Sequence, residues 1–158
     1  MHETDSVNIR KVGAILDEFC WPEIELIGRK GNNAIFLVIQ HADLDFQKKY
    51  MPLVEQAYNE NKIDGRHMTL LLDRMSVREN GYQIYGTQLR SLGSSPIYQL
   101  RPLLYPDKVD SLRAVMGLDS LHTYVSKYNM EKDWREKDLR KKDSEPLQPQ
   151  TTKINRRL

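Results

Sequence analysis

The chain has 158 residues, of which 39% are apolar and 29% are charged, and its formal net charge is +2. This length predicts one domain that buries a hydrophobic core without help from disulfides or metal ions. The near balance of charge excludes a nucleic-acid-binding protein that acts through bulk positive charge. The single cysteine, Cys20, excludes an intramolecular disulfide and a zinc site built from several thiolates.

Nothing in the sequence predicts a membrane span. The longest apolar run, Ala34 to Ile39, is far shorter than the roughly 20 residues that cross a bilayer. Residues Met1 to Asp5 have neither the basic nor the apolar part of a secretory signal. We therefore expect a soluble protein, most simply cytoplasmic, although the mature part of a secreted protein would show the same pattern.

Helical periodicity dominates the first part of the chain. Apolar residues between Val7 and Phe19 fall on one helical face, and Ser6 is a plausible N-cap. Residues 28–33 have the composition of a loop. The short apolar run from Ala34 to Gln40 fits either a strand or a helix, and we favour a helix because a capped helix follows it.

That following helix is predicted over residues 44–60, with Asp43 as its N-cap and Pro52 bending it. The next apolar face, from Met68 to Met75, has helical spacing. A strand over Thr69 to Val77 is the alternative for this region.

The period changes after the turn dipeptide at residues 80–81. Side chains alternate from Tyr82 to Thr87, which is typical of a strand. Residues 91–96 have loop composition, and Ile97 to Leu100 is a second short strand. Together these segments predict a small hairpin.

Two helices complete the predicted fold. Pro106 opens the first, which ends at Gly117, and Asp119 or Ser120 caps the second. The predicted fold class is α+β and mostly helical, with about five to six helices packed around a small antiparallel β-hairpin.

Composition divides the chain into three parts. Residues 1–129 are expected to form a single globular domain. Residues 130–143 carry alternating charges and predict a charged helical extension. Residues 144–158 are polar, contain two prolines and predict a disordered tail. We expect the tail to be a solvated extension, and an arm that contacts a partner is the alternative.

No known cofactor signature is present. The sequence lacks glycine-rich nucleotide and phosphate loops, a nucleophile elbow and the paired histidines of a zinc protease. We therefore expect no cofactor and no metal, with a metal held by Asp and Gln oxygens as an open alternative.

Between residues 31 and 128, an ordered set of polar and turn residues lies within apolar sequence. Its members are His41-Ala42-Asp43, Gln47, Asp73-Arg74, Gly81, Gln83-Ile84-Tyr85-Gly86-Thr87-Gln88, Pro102, Pro106, Val109-Asp110, Arg113, Gly117-Leu118 and Tyr124. In this order the set resembles a bacterial family of unknown function, over about 98 of the 158 residues. The resemblance implies a shared pocket without an established reaction, and members of that family are often secreted or lipid-anchored.

Three of these residues are candidates for chemistry. His41 is a candidate general acid or base, because the ordinary pKa of histidine lies near neutrality. Asp73 is a candidate for orienting His41, and Arg74 for holding an anionic group. The alternatives are a core histidine, an internal ion pair or helix cap, and a surface ion pair, respectively.

The remaining candidates are polar residues that would bind a substrate. Strand alternation would place Gln83, Tyr85 and Thr87 on one face and Gln88 on the other. Gln47 on the bent helix joins them as a candidate substrate-binding residue. A solvated strand face is the alternative.

These residues favour a small hydrolase or group-transfer enzyme. His41 would move a proton while water attacks a small polar or anionic substrate. The alternative is a non-catalytic ligand- or peptide-binding module, such as a sensor or an immunity-type protein. A third interpretation is a buried polar network that fixes the helices onto the hairpin.

Overall fold

The computed structural model describes residues 3–93 and 96–131. Within these ranges the chain forms six α-helices and a two-stranded antiparallel sheet, which confirms the mostly helical α+β class. The helices are α1 (Glu3–Phe19), α2 (Ile24–His41), α3 (Leu44–Asn59), α4 (Gly65–Asn80), α5 (Val109–Val115) and α6 (Leu121–Val125). The strands are β1 (Leu89–Ser91) and β2 (Tyr98–Leu100), and a 3₁₀ turn (Pro106–Lys108) precedes α5.

The main hydrophobic core lies among the four long helices. Their apolar faces meet because residues three and four apart share one side of a helix. The fully buried members of this core include Phe36, Ile39, Val54, Ala57 and Leu71.

The first two helices differ from the sequence prediction. Helix α1 begins at Glu3, so Ser6 lies inside it and is not its N-cap. The predicted loop over residues 28–33 is wrong, because α2 runs through them. Gly28 alone leaves the helical conformation, with a φ of 67°. Glycine adopts this left-handed geometry at little cost, so one residue makes a kink where a loop was expected. The predicted helix at Ala34 to Gln40 is confirmed as part of α2.

The predictions for the next two helices agree with the structure. Asp43 caps α3 by accepting a hydrogen bond from the Phe46 N–H at 2.8 Å, and Pro52 lies inside that helix. Asp64 caps α4 in the same way, accepting from the His67 N–H at 2.9 Å. The alternative of a strand over Thr69 to Val77 is wrong, since α4 covers these residues.

A second, smaller core joins the sheet to the last two helices. It contains Leu100, Leu103, Val109, Leu121 and Val125. Strands β1 and β2 pair with Leu89 opposite Leu100. The chain beyond α6 returns to β2, where the Tyr98 N–H donates to the Asn129 carbonyl at 2.8 Å and the Glu131 N–H donates to the Tyr98 carbonyl at 2.9 Å.

Residue 129, the predicted end of the globular domain, lies within this return. Of the predicted charged extension, residues 130 and 131 are described and lie against the sheet. The rest of the extension and the tail at 144–158 lie outside the described residues.

The predicted strand at Tyr82 to Thr87 is wrong. Within it, only Gln83 makes an isolated bridge, to Leu103, and the strands of the sheet lie farther along the chain. Two features explain the difference. The backbone N–H groups of Ile84, Tyr85 and Thr87 are bound by the Asp73 carboxylate, so they do not enter a ladder. Gly86 also turns the backbone, with a φ of 73°.

Candidate ligand-binding site

Asp73 organises the loop over residues 83–88. Its side chain is fully buried on α4. One oxygen, Oδ1, accepts from the N–H groups of Ile84 at 2.8 Å and Tyr85 at 3.0 Å. The other, Oδ2, accepts from the N–H and the hydroxyl of Thr87, both at 2.9 Å. Burial raises the pKa of Asp73, and the four hydrogen bonds oppose this shift because they favour the charged form.

Gln83 and Gln88 close the same loop. The fully buried Gln83 amide donates to the carbonyls of Gln88 at 3.0 Å and Arg101 at 2.9 Å, and its Oε1 accepts from the Gln88 N–H at 2.7 Å. The Gln88 amide donates to the Leu70 carbonyl of α4 at 3.2 Å. Both side chains therefore bind backbone groups of this chain.

Gln47 also forms hydrogen bonds within the protein, at the junction of three helices. It is fully buried, and its Nε2 donates to the Gln40 carbonyl at 2.7 Å near the end of α2. Its Oε1 accepts from Arg78 Nη1 of α4 at 3.0 Å. Its amide thus links α2, α3 and α4.

His41, the predicted proton-transfer residue, is exposed at the last position of α2. The four hydrogen bonds of the Asp73 carboxylate all go to Ile84, Tyr85 and Thr87, and none goes to His41. The structure therefore does not bring this predicted catalytic pair together through a hydrogen bond. A role for His41 in catalysis stays a prediction.

Arg74 and Tyr85 are half-buried. The Nε atom of Arg74 is enclosed and has no hydrogen-bond partner among the described residues. Burial lowers the pKa of Arg74, and the neighbouring charge of Arg78 lowers it further. The Tyr85 ring packs against the main core, and burial raises the pKa of its hydroxyl.

A cavity of about 550 Å³ lies where α4 begins, against the segment from α5 to Tyr128. Of the eight residues predicted as site residues, Thr87 alone lies in its wall. The wall also contains Arg66, Arg113, Lys127, Tyr124 and Tyr128. Asp64 and Asp119 are the acidic members.

Arg113 is the most enclosed charged residue of this wall, with 2% of its surface exposed. Its Nε donates to the Asp119 carbonyl at 2.6 Å and its Nη1 to the Tyr85 carbonyl at 2.7 Å. The guanidinium carbon lies 5.0 Å from the centre of the Tyr124 ring. The third nitrogen, Nη2, has no hydrogen-bond partner among the described residues. Burial lowers the pKa of Arg113, because the charged form loses hydration.

No carboxylate of the described residues lies within 4.0 Å of the Arg113 guanidinium. The nearby acids are engaged elsewhere. Asp73 holds the loop, and Asp110 accepts from the Leu121 N–H at 2.6 Å. Asp119 lies 3.4 Å from Lys127 Nζ, and Asp64 binds His67 Nδ1 at 2.6 Å. Arg113 thus carries a buried positive charge without a direct ion pair in this part of the chain, and the charges of Asp110, Asp73 and Asp119 favour its charged form from beyond 4.0 Å.

Tyr124 connects the cavity to the loop and to Arg113. Its hydroxyl donates to the Thr87 carbonyl at 3.0 Å. Burial raises its pKa, and the hydrogen bond with Tyr128 raises it further. The positive charges of Arg113 and Arg66 both oppose this shift.

Sequence reasoning missed the three cations of the wall as site residues. Arg113 belonged to the quoted pattern, but a lone arginine in a helix is usually solvated. One signal was available: Arg113 lies four residues after Val109 and three before Met116, on the apolar face of α5, and all three side chains are buried. Arg66 and Lys127 are exposed and gave no such signal.

Residues 3–93 and 96–131 show neither a metal-ion cluster nor a membrane-spanning helix. No three His, Cys, Asp or Glu side chains are grouped there as a metal ion would require. No helix in these ranges is long and apolar enough to cross a membrane.

Comparison with known proteins gives one match. No curated protein and no solved structure matches the chain. A family model described as a family of unknown function, DUF6624, matches residues 1–134. This match spans most of the chain and agrees with the resemblance found from the sequence. The chain therefore belongs to the family of unknown function DUF6624.

Proposed function

We propose that this protein binds a small anionic ligand in the cavity between α4 and the segment from α5 to Tyr128. The observation that carries the proposal is Arg113. A buried charge is costly unless it is paired. The direct contacts of this guanidinium are two neutral carbonyls and an aromatic ring, and the charges of Asp73, Asp110 and Asp119 act on it from beyond 4.0 Å. An anion that accepts a hydrogen bond from Nη2 would give the Arg113 guanidinium the direct ion pair that it lacks.

The hydrogen bonds of Asp73 and Gln83 support this function, because they hold the cavity wall in place. Asp73 fixes Thr87, a wall residue, and Gln83 fixes the ends of the same loop. The loop in turn presents the Tyr85 carbonyl that holds Arg113 Nη1. Through these contacts, residues that do not touch the cavity would hold its walls in place.

The same contacts favour binding over turnover. The four hydroxyls at the wall are already engaged: Thr69 with the Gly65 carbonyl, Thr87 with Asp73, Tyr124 with the Thr87 carbonyl, and Tyr128 with Tyr124. His41, the predicted acid or base, does not line the cavity. The wall would therefore bind a ligand through its positive charges, while its hydroxyls form hydrogen bonds within the protein.

Thermal unfolding at constant ionic strength tests the proposal. Acetate, succinate and methyl phosphate are the probes, and the variant Arg66→Ala removes an exposed cation of the wall. The control Arg10→Ala removes an exposed arginine from α1, outside the wall. We expect at least one anion to raise the unfolding midpoint of the wild type and of Arg10→Ala, because a ligand that binds only the folded state stabilises it. The shift should shrink in Arg66→Ala. Equal shifts in the two variants, or no shift with any anion, would reject the proposal.

A further inference from the structure

We infer that the head group recognised by this cavity is a phosphomonoester, bound between Arg66 and Arg113. The inference rests on the proposed anion-binding function and narrows it to one ligand class. Its basis is the two guanidinium groups of the wall that lack a direct ion pair.

The ionic groups of the wall can be assigned one by one. Lys127 pairs with Asp119 at 3.4 Å, and Asp64 is engaged by His67 and by the first turn of α4. Neither Arg66 nor Arg113 has an ion-pair partner within 4.0 Å among the described residues. These two guanidinium groups therefore lack a direct ion pair, while the Asp64 carboxylate keeps its charge wherever His67 is neutral.

A phosphomonoester can form ion pairs with both of these guanidinium groups. It carries close to two negative charges at neutral pH, because its second pKa is about 6. A monocarboxylate or a phosphodiester carries one and would leave a guanidinium unpaired. A dicarboxylate has two charges, but it holds them on separate groups.

The donors of Arg113 favour the same class. A carboxylate is often held by two parallel N–H groups of one arginine. On Arg113 the side-on pair is closed, since Nε already donates to the Asp119 carbonyl. Nη2 is the nitrogen left without a partner, so a group with three oxygens can accept from Nη2 and from Arg66 separately.

The size of the cavity indicates an organic phosphate. Its volume is about 550 Å³. A water molecule occupies roughly 30 Å³ in the liquid, so a phosphoryl group of a few such volumes would leave most of the space free. Leu70, Leu118 and the Tyr128 ring line the same cavity and suit the organic part of a small ester.

Isothermal titration with methyl phosphate, dimethyl phosphate and succinate tests the inference on the full chain. We expect methyl phosphate to bind about tenfold or more tightly than the other two, because it alone presents two charges on one group. Arg66→Ala should weaken methyl phosphate more than dimethyl phosphate, and Arg10→Ala should change neither. Free phosphoserine and a hexapeptide containing it then distinguish a metabolite from a phosphorylated protein as the source.

The two proposals fail in different ways. If succinate or dimethyl phosphate binds as tightly as methyl phosphate, and Arg66→Ala weakens them equally, the phosphomonoester inference is wrong and the anion site stands. If no probe binds, or Arg66→Ala and Arg10→Ala bind alike, the anion site itself is wrong.

Discussion

Asp73 holds Thr87 twice, through its backbone N–H and through its hydroxyl, and both contacts measure 2.9 Å. The two residues are 14 positions apart, on α4 and on the loop that follows it. Thr87 also lines the cavity, and its carbonyl accepts from Tyr124. One buried carboxylate therefore sets the position of a wall to which it does not itself belong.

Replacing Asp73 with Asn should destabilise the fold by about 2–4 kcal/mol, because the buried acceptor of four hydrogen bonds is lost. An Asn amide can accept from Ile84 and Tyr85, but its NH₂ group would then face the Thr87 N–H, a second donor. Urea unfolding of the two proteins measures the difference. A loss below about 0.5 kcal/mol, the usual size for surface changes, would contradict the structural role of Asp73.

The pH dependence of this difference has a definite sign. The pKa of Asp73 is raised in the fold, so protonation of Asp73 favours the native state. This contribution is fully present below the unfolded pKa, near 3.8, and is lost as the pH rises through the folded value. We therefore expect the stability gap between wild type and Asp73→Asn to be larger at about pH 4 than at about pH 7. A gap that widens with rising pH would show that the hydrogen bonds outweigh burial.

His41 and Gln83 should respond very differently to alanine. His41 is exposed, so His41→Ala should change the free energy of unfolding by no more than about 0.5 kcal/mol. Gln83→Ala should cost about 3 kcal/mol or more, because it leaves two carbonyls and one N–H without their buried partner. Urea midpoints of both variants measure this contrast. Similar losses in the two would mean that His41 is part of the buried network.

Gly65 should not tolerate a side chain. A Cβ at this position would lie 2.0 Å from the Met116 carbonyl oxygen, which is backbone and has little room to move. We expect Gly65→Ala to cost about 3 kcal/mol, at the upper end for overpacking. Gly81→Ala is the control: its φ is 78° and nothing lies within 4 Å, so only backbone strain of about 1–2 kcal/mol applies. Thermal unfolding of both variants tests the order, and a smaller loss in Gly65→Ala would refute the close approach of α4 to the end of α5.

Tyr124→Phe should remove about 1 kcal/mol of stability, because the Thr87 carbonyl loses its donor. The phenylalanine ring keeps the contact with Arg113. Tyr98→Phe is the matched control, since the Tyr98 hydroxyl has no hydrogen-bond partner among the described residues, and we expect a change within about 0.5 kcal/mol. Equal losses in chemical denaturation would assign the effect to the rings and not to the Tyr124 hydroxyl.

The parts of the fold that depend on local chemistry could be predicted from the sequence. Asp43 caps α3 through a residue three positions away, and the apolar face of α3 repeats within the helix itself. Such signals lie within a few residues of one another, so a linear pattern contains them. The mostly helical class followed from them.

The loop at residues 83–88 and the cavity depend on contacts that a linear pattern does not contain. Alternating side chains at Gln83, Tyr85 and Thr87 fit a strand, but the partner of this backbone is a carboxylate on α4. Arg113 owes its burial to carbonyls at Tyr85 and Asp119, which only the folded chain brings to it. The sequence shows which residue types are present, but it does not show which carboxylate and carbonyl groups accept their hydrogen bonds.

The two apolar cores meet across a layer of hydrogen bonds contributed by Asp73, Gln83 and Arg113. Two apolar surfaces can shift slightly against each other, whereas directional hydrogen bonds between them fix one relative position. The cavity straddles this layer, with α4 on one side and the segment from Arg113 to Tyr128 on the other. The shape of the cavity would therefore be set before the proposed ligand binds, and that ligand would have to fit it.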